Sequence, residues 1–496
     1  MISDIRPQQA KHMWEVLRDR TPVFLQNKIA LSPLNNIESI RVNKETGKCT
    51  INYLKGSWNL ALQAEGWTQA DPRIKEDLNA AILNNPFLKK GYDLLKGPSR
   101  PTSIIRVPRD YPTIQAAIDA AKKGDTILVS AGTYNEAINL NKSGISLVGV
   151  LVNALQATGN EESSVINGPF GLPAITCLDL SGGLKTKITG FTIRGSFSSN
   201  SNYNYTIKCM GTVNLLEIEN NFLPLSGIEL ENGASVVIKN NKIDNYSSIK
   251  ARGNNYVQII GNSFNKTINK APPLPVSIYL NSTTGLLKDN YITDRYGCAL
   301  HISNGSNINI INNIFDKCIE YTGFSGVMIR DSIVTLRNNL FKNNEAHAGG
   351  HSCGVDAMNS NVYLYNNIFF GNYIFTTANY FDGGVAAYII NSNFTAKNNI
   401  FLNNAGMRGV ATIYVDGSGT QDFSYNLFWN NRVSQSTSGV TLGPGNISID
   451  PKFVSETDFH LQSGSPCINA GDPATQYSDW DGSTNDMGIY GGPNPY

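Results

Sequence analysis

The chain is short of charge: Lys and Arg total 40 and Asp and Glu 39 in 496 residues, which leaves a net charge of +1. A balance this close to neutral, with no basic stripe, offers no electrostatic footprint for nucleic acid. No apolar run is long enough to span a bilayer, so no membrane-spanning helix is expected. Met1 to Ala10 show neither the basic nor the apolar segment of a secretory leader. The cysteines Cys49, Cys177, Cys209, Cys298, Cys318, Cys353 and Cys467 are odd in number and share no repeated spacing, which argues against a disulfide framework and for buried free thiols. Cys298 and Cys353 take equivalent places two repeats apart, too far for a bridge.

What the chain has in abundance is a short repeat. From Gly227 to Ile243 apolar residues alternate with polar ones at Ile228 and Leu230, turn at Asn232 and Gly233, and alternate again at Val236 and Ile238. That is the period of half-buried strands. The second strand returns at Val257, Ile308, Val334, Val362 and Phe394, each time closed by asparagine at Asn262, Asn313, Asn339, Asn367 and Asn399. Looser copies end at Asn221, Asn290 and Asn426.

These markers lie roughly 20 to 32 residues apart, the length of one solenoid coil with loops of variable size. A β-sandwich would not bring one residue type back to one place in every strand. Stacked coils do so, with inward columns at the strand spacing of about 4.8 Å and an Asn corner whose amides bond one another. The fold expected is an all-β solenoid, a single-stranded parallel β-helix, with the Asn corner continuous from Asn221 to Asn426.

Residues 1–100 do not follow the repeat. Helical apolar spacing over Gln8 to Arg20 and Asp71 to Leu95, with a hairpin between Ile37 and Leu54, predicts a small mixed, partly helical domain. Two roles stand open for it: a cap on the solenoid, or attachment to a protein partner or to further copies of the chain. The solenoid is expected over 101–448. It opens on a helix at 113–121, whose Ile114, Ala117, Ile118 and Ala121 form one apolar face suited to covering an exposed coil end. Residues 449–496 form a closing segment.

Tyr111-Pro-Thr-Ile-Gln-Ala-Ala-Ile118, Gly124-Asp125, Gly132-Thr-Tyr134 and Gly190-Phe-Thr-Ile193 together resemble the N-terminal end of right-handed parallel β-helix proteins of the pectin-lyase-like superfamily. The resemblance covers residues 104 to 492. It implies the fold and the right hand of the helix, but not one activity, because the superfold carries lyases, hydrolases, esterases, adhesins and tailspikes. Gly190 to Arg194 looks like a stretch of pectin methylesterases, yet the aspartate motifs of that family are missing. Gly350-His351 is similar to the histidine motif of polygalacturonases without the accompanying acid and base, which makes His351 a structural or loop-tip residue.

Aligning the first strand of each coil exposes one outward column, Lys208, Glu229, Lys250, Tyr279, His301, Met328, Asp356 and Tyr388. A second runs Met210, Glu231, Arg252, Asn281, Ser303, Arg330, Met358 and Ile390. Charged and aromatic side chains at strand pitch admit two readings: contact with a ligand, or cross-strand pairing that only stabilises the sheet. Lyases of this fold take the proton beside a uronate with a basic residue and neutralise its carboxylate with a cation. The resemblance then implies Lys250 as base, Arg252 or Arg330 steadying the uronate or the leaving oxygen, and Tyr279 or His301 returning the proton. Lys208, Glu229, Glu231, Asp356 and Tyr388 would contact substrate.

Two metal sets are conceivable. Asp479, Asp481, Asn485 and Asp486 surround a Gly turn as Ca²⁺ ligands do, or else form an Asx-turn loop. Glu345, His347 and His351 with Asp356 are a weaker set, because two histidines four apart lack a helix to aim them. The leading expectation is an extracellular or cell-surface protein that binds polysaccharide along the outward face, with a polysaccharide lyase as its enzymatic form. The alternative is a non-catalytic surface, filament or tailspike component.

Overall fold

The structure, a computed structural model, describes residues 102–496 except 152, 158–162, 196–204, 226, 245–247, 266–275, 321–325, 348–350, 376–382, 408, 434, 494 and 496, together with the backbone of five earlier strands. Contacts divide the chain into two units, Met1–Thr102 and Ser103–Tyr496. In the first, Ile2–Ile5, Ile37–Asn43, Lys48–Tyr53, Gly56–Gln63 and Gly66–Trp67 pair in that order as an antiparallel sheet. The expected hairpin is its centre. The helices expected over Gln8 to Arg20 and Asp71 to Leu95 lie outside the described residues.

The second unit is the parallel β-helix that the repeat predicts. Its strands form a 23-stranded sheet, a 12-stranded sheet and a short 4-stranded sheet. The largest holds two faces of the coil, because Ile249–Ile260 and Ile278–Lys288 run unbroken through the corner between them. Register is held coil after coil: Ile207, Ile228, Ile249, Ile278, Leu300, Val327 and Val355 stack inward on the first face, all buried. On the 12-stranded sheet the rings of Phe315, Phe341, Phe369, Phe401 and Phe428 stack with centroids 4.7 to 5.1 Å apart, one ring per coil.

The second inward column contains a residue that periodicity did not mark. Between Val257 and Ile308 stands Gly285. A Cβ there would lie 2.0 Å from the Val257 carbonyl oxygen, so only glycine allows that coil to approach its neighbour.

The Asn corner explains why asparagines come in pairs. The first member takes a left-handed backbone, as at Asn240, Asn312, Asn338, Asn366 and Asn398. Asn tolerates that turn better than most side chains. The second member is buried and donates its amide to the next: Asn221 to Asn241, Asn262, Asn290, Asn313, Asn339, Asn367, Asn399, Asn426 and finally Asn446, at 2.9 to 3.2 Å. Each carboxamide oxygen also accepts the backbone N–H of the asparagine before it, as Asn339 does from Asn313 at 2.9 Å. The ladder thus satisfies buried backbone groups that a turn leaves unpaired. A second ladder joins Asn344, Asn372, Asn404 and Asn431.

At the N-terminal end the helix is Ile114–Ala120, with Thr113 and Ala121 as its caps and Ile114, Ala117 and Ile118 buried. The Thr113 hydroxyl accepts the Ala116 N–H, and the Glu136 carboxylate accepts those of Ile114 and Gln115. These donors would otherwise have no partner in the first turn. The closing segment runs back along the flank: Asp472 donates its N–H to Asn398, Asn366 donates to Asp486 and Gly488, and Asn338 donates to Ile489 and Gly491. Phe459, Cys467, Met487 and Ile489 cover Ile368, Ile400 and Leu427 there. No helix among the described residues is long and apolar enough to cross a membrane.

Candidate functional site

Parallel strands in register deliver one outward side chain per coil at about 4.8 Å. The first outward column runs Lys208, Glu229, Lys250, Tyr279, His301, Met328, Asp356, Tyr388 and on to Tyr414. Beside it lie Glu231, Arg252, Asn281 and Ser303, then Arg330, Met358, Ile390 and Asp416. The coil alignment thus brings these side chains onto one surface, and their electrostatic states differ along it.

Lys208 is paired. Its ammonium lies 3.0 Å from Glu231 and 3.4 Å from Glu229. Burial disfavours its charge, but the two carboxylates outweigh burial and raise its pKa. Lys250 and Arg252 make no ion pair among the described residues. Lys250 sits 5.8 Å from the ring centroids of both Tyr205 and Tyr279, and the Arg252 guanidinium lies 5.9 Å from that of Tyr279. Burial first, and the Arg252 charge second, lower the Lys250 pKa against the pull of Glu229.

The middle of the column is aromatic and uncharged. Tyr279 and His301 meet edge to face at 4.9 Å. The Asn281 amide donates to the Tyr279 hydroxyl at 3.1 Å, which leaves that O–H pointed elsewhere. Burial, and secondarily Arg330, push His301 down to about 4, so its imidazole is neutral at pH 7.

At the next coils a charge is neutralised internally. Arg330 Nη2 lies 2.5 Å from Asp356 Oδ1, and its Nη1 donates to the carbonyls of Ile329 and Asp356. Asp356 points outward in register yet is only 2% exposed. Burial raises its pKa against Arg330 and His351, and its Oδ2 is buried without a hydrogen-bond partner. His351 stacks on Tyr388 at 4.7 Å, and Tyr388 on Tyr414 at 5.2 Å.

Two contributors, Tyr414 and Tyr205, escaped the sequence, and a third, His351, was expected as a loop-tip residue and joins the face. Tyr414 continues the column one coil further, and extending the alignment would have found it. Tyr205 precedes its strand and His351 lies outside the strands, so neither carries a periodic signal. Glu345 and His347 pair with each other at 3.1 Å on the 4-stranded sheet and do not join Asp356. The described cysteines are free and buried, and burial pushes the Cys298 thiol up to about 12, away from reactivity.

The four C-terminal oxygen donors are engaged by backbone N–H groups of the segment and, for Asn485, by Asn366 of the coils. Asp479 accepts the N–H groups of Asp486 and Gly492, Asp481 accepts that of Ser483, and Asp486 accepts that of Asn469. The buried Asn485 exchanges amide hydrogen bonds with Asn366. Among the described residues no three His, Cys, Asp or Glu side chains converge as metal ligands. With its oxygens turned to these N–H groups, the set does not fit a calcium ion.

A family model for the right handed beta helix region matches residues 176–321 and 278–450, together more than half of the chain. No curated protein matches the sequence. Among solved structures the chain is similar to a pectate lyase, with 14% identity over 78% of this chain and 96% of that one and a TM-score of 0.37. It is similar to a family 28 exopolygalacturonase from Yersinia enterocolitica, with 10% identity over 83% of each chain and a TM-score of 0.31. The A-module of a mannuronan C-5 epimerase from Azotobacter vinelandii shares 13% identity over 68% of this chain and 95% of that one, with a TM-score of 0.32.

Proposed function

The chain belongs to the right-handed beta helix family, and from that premise we propose that it binds an anionic polysaccharide along the outward columns from Lys208 to Tyr388. The observation that carries this reading is the state of Lys250 and Arg252. Lys208 and Arg330 have carboxylate partners, whereas these two cations make no ion pair among the described residues, although Glu229 and Glu231 stand beside them in register, and they lie near aromatic rings. A sheet stabilised by cross-strand charge pairing alone would have matched them. Cations near rings and without an ion-paired carboxylate favour a carboxylate supplied from outside. A polymer of this kind lies outside the cell, so we place the protein there, secreted or on the cell surface. The separate N-terminal unit, Met1–Thr102, is the candidate for attachment to a protein partner or to further copies.

The test is equilibrium binding of polygalacturonate and alginate at low and high salt. The full chain should bind with an affinity that falls as salt rises. Lys250→Ala with Arg252→Ala should weaken binding at least tenfold while leaving the melting temperature within a degree or two, because exposed and half-exposed charges add little to folding. Equal binding by both proteins would reduce the face to a solvated ladder.

A second reading, β-elimination of the bound uronate, is favoured by the lowered proton affinity of Lys250. Lys250 would take the proton beside the carboxylate, the electron pair would form the ring double bond, and the bond to the glycosidic oxygen would break. Tyr279 is the better proton donor to that oxygen, because His301 is already neutral and Tyr279 accepts from Asn281 with its own hydrogen unspent. Arg252 is left to steady the carboxylate, since Arg330 is committed to Asp356. Ultraviolet absorbance of unsaturated uronates should appear with the full chain and vanish in Tyr279→Phe with binding retained. No absorbance with any bound polymer would leave a non-catalytic, adhesive protein.

A further inference from the structure

The corner between the first two faces of the coil is built differently from the Asn ladder. Three successive coils turn there on an acid or amide followed by serine, Asp331-Ser332, Asn359-Ser360 and Asn391-Ser392, with the first member of each in the left-handed region. The serines are buried and tie the turns together. Ser332 donates its N–H to the Ser360 hydroxyl at 3.1 Å and Ser360 donates to that of Ser392 at 2.9 Å, while each hydroxyl donates at 2.7 Å to the carbonyl two residues before it. Asp331, Asn359 and Asn391 are exposed on this fixed backbone, one per coil. Beside them Ile333, Asn361 and Asn393 begin the second face in register. Together these residues line a groove of about 550 Å³, within the size range of ligand sites.

The hydrogen bonds within the groove leave a defined set of atoms unspent. Asn359 Nδ2 donates to Asp331 Oδ1 at 3.3 Å, Asn393 Nδ2 donates to Asn361 Oδ1 at 2.7 Å, and Asn391 Oδ1 accepts the Ser418 N–H at 3.1 Å. Asn361 Nδ2 and Asn391 Nδ2 remain as donors, and Asp331 Oδ2 and Asn359 Oδ1 as acceptors, with no partner among the described residues. A hydroxyl, which donates and accepts at once, complements both kinds. Ile333, 43% exposed, adds apolar surface among them. The lining holds one carboxylate and no cation, so a polyanion would find no counter-charge there.

We propose that this corner groove binds an uncharged oligosaccharide, with Asn361, Asn391, Asn359 and Asp331 meeting its hydroxyls and Ile333 meeting the C–H face of a sugar ring. The site is separate from that of Lys250 and Arg252 and does not rest on it. From Gly305 to Gly419 the groove crosses four coil steps. At the strand spacing these span about 19 Å, the length of a few sugar units. The turns fix the polar side chains before a ligand arrives, which lowers the ordering cost of binding.

The experiment titrates the full chain calorimetrically with neutral hexasaccharides of glucose, mannose, galactose and xylose. At least one should bind, with the same affinity at low and high salt, because no ion pair forms. Asn361→Leu removes an unspent donor at a strand position and should weaken that hexasaccharide about tenfold. Asn391→Asp keeps the oxygen that accepts from Ser418 and tolerates the left-handed turn, so it replaces only the unspent donor, and should also weaken binding about tenfold. Should Asn361→Leu melt early, Asn391→Asp carries the test alone. Binding of none of the four sugars, an affinity that falls with salt, or full affinity in Asn391→Asp would overturn the groove as a sugar site. Displacement of the neutral sugar by saturating polygalacturonate would place it on the Lys250 face and overturn the separate site. Each of these failures concerns the corner alone and leaves the reading of Lys250 and Arg252 standing.

Discussion

The Asn corner and the outward column belong to the same coils, yet they are written differently. From Asn221 to Asn446 the corner repeats one residue, because every coil must meet the same demand: a buried turn whose N–H and C=O groups need partners. The outward column changes residue type at every step from Lys208 to Tyr388. Nothing in the stacking of the coils requires Lys250 at its place, since it is half-exposed and makes no ion pair among the described residues. Repetition thus marks what holds the helix together, and departure from it marks positions that stacking does not dictate.

The largest effect should come from breaking the corner. Asn339 donates to Ile310, Arg337 and Asn367, and its oxygen accepts twice from Asn313. Asn339→Leu would orphan several buried groups at about 1–3 kcal/mol each, a loss of at least about 3 kcal/mol. Glycan affinity per folded molecule should stay the same. An unchanged denaturant midpoint would dissolve the distinction between corner and face.

A smaller effect is expected from the aromatic middle of the face. The pKa of His301 falls from 6.5 to about 4 on folding, so the unfolded chain takes up the proton first. The stability from this group is full above about pH 6.5 and is lost as the pH falls towards 4. Melting curves should show His301→Gln losing part of the pH dependence of the unaltered chain between those values. Identical slopes would mean that His301 is as solvated as a ladder residue.

The smallest effect should be at the paired end. Lys208→Ala removes contacts with Glu229 and Glu231 that are partly open to water, and should cost about 0.2–1 kcal/mol. A loss as large as that of Asn339→Leu would place the charged ladder among the elements that hold the fold.

The sequence by itself determined the coil, its register and its corner, because parallel stacking converts a linear spacing into a column of neighbours with no further information. It also identified the helix at the N-terminal end, from an apolar stripe and a Thr cap that operate within a few residues. It could not show that Lys250 and Arg252 lack carboxylates while Arg330 has one, since pairing depends on how long side chains lean between coils. Nor could it show that Asp356 is covered, because His351 comes from outside the strands and stacks on Tyr388 of the next coil. Likewise the closing segment finds Asn338, Asn366 and Asn398 more than 70 residues away in the chain. Those features rest on contacts between segments of unequal length, for which no local period exists, and only the tertiary structure decided them.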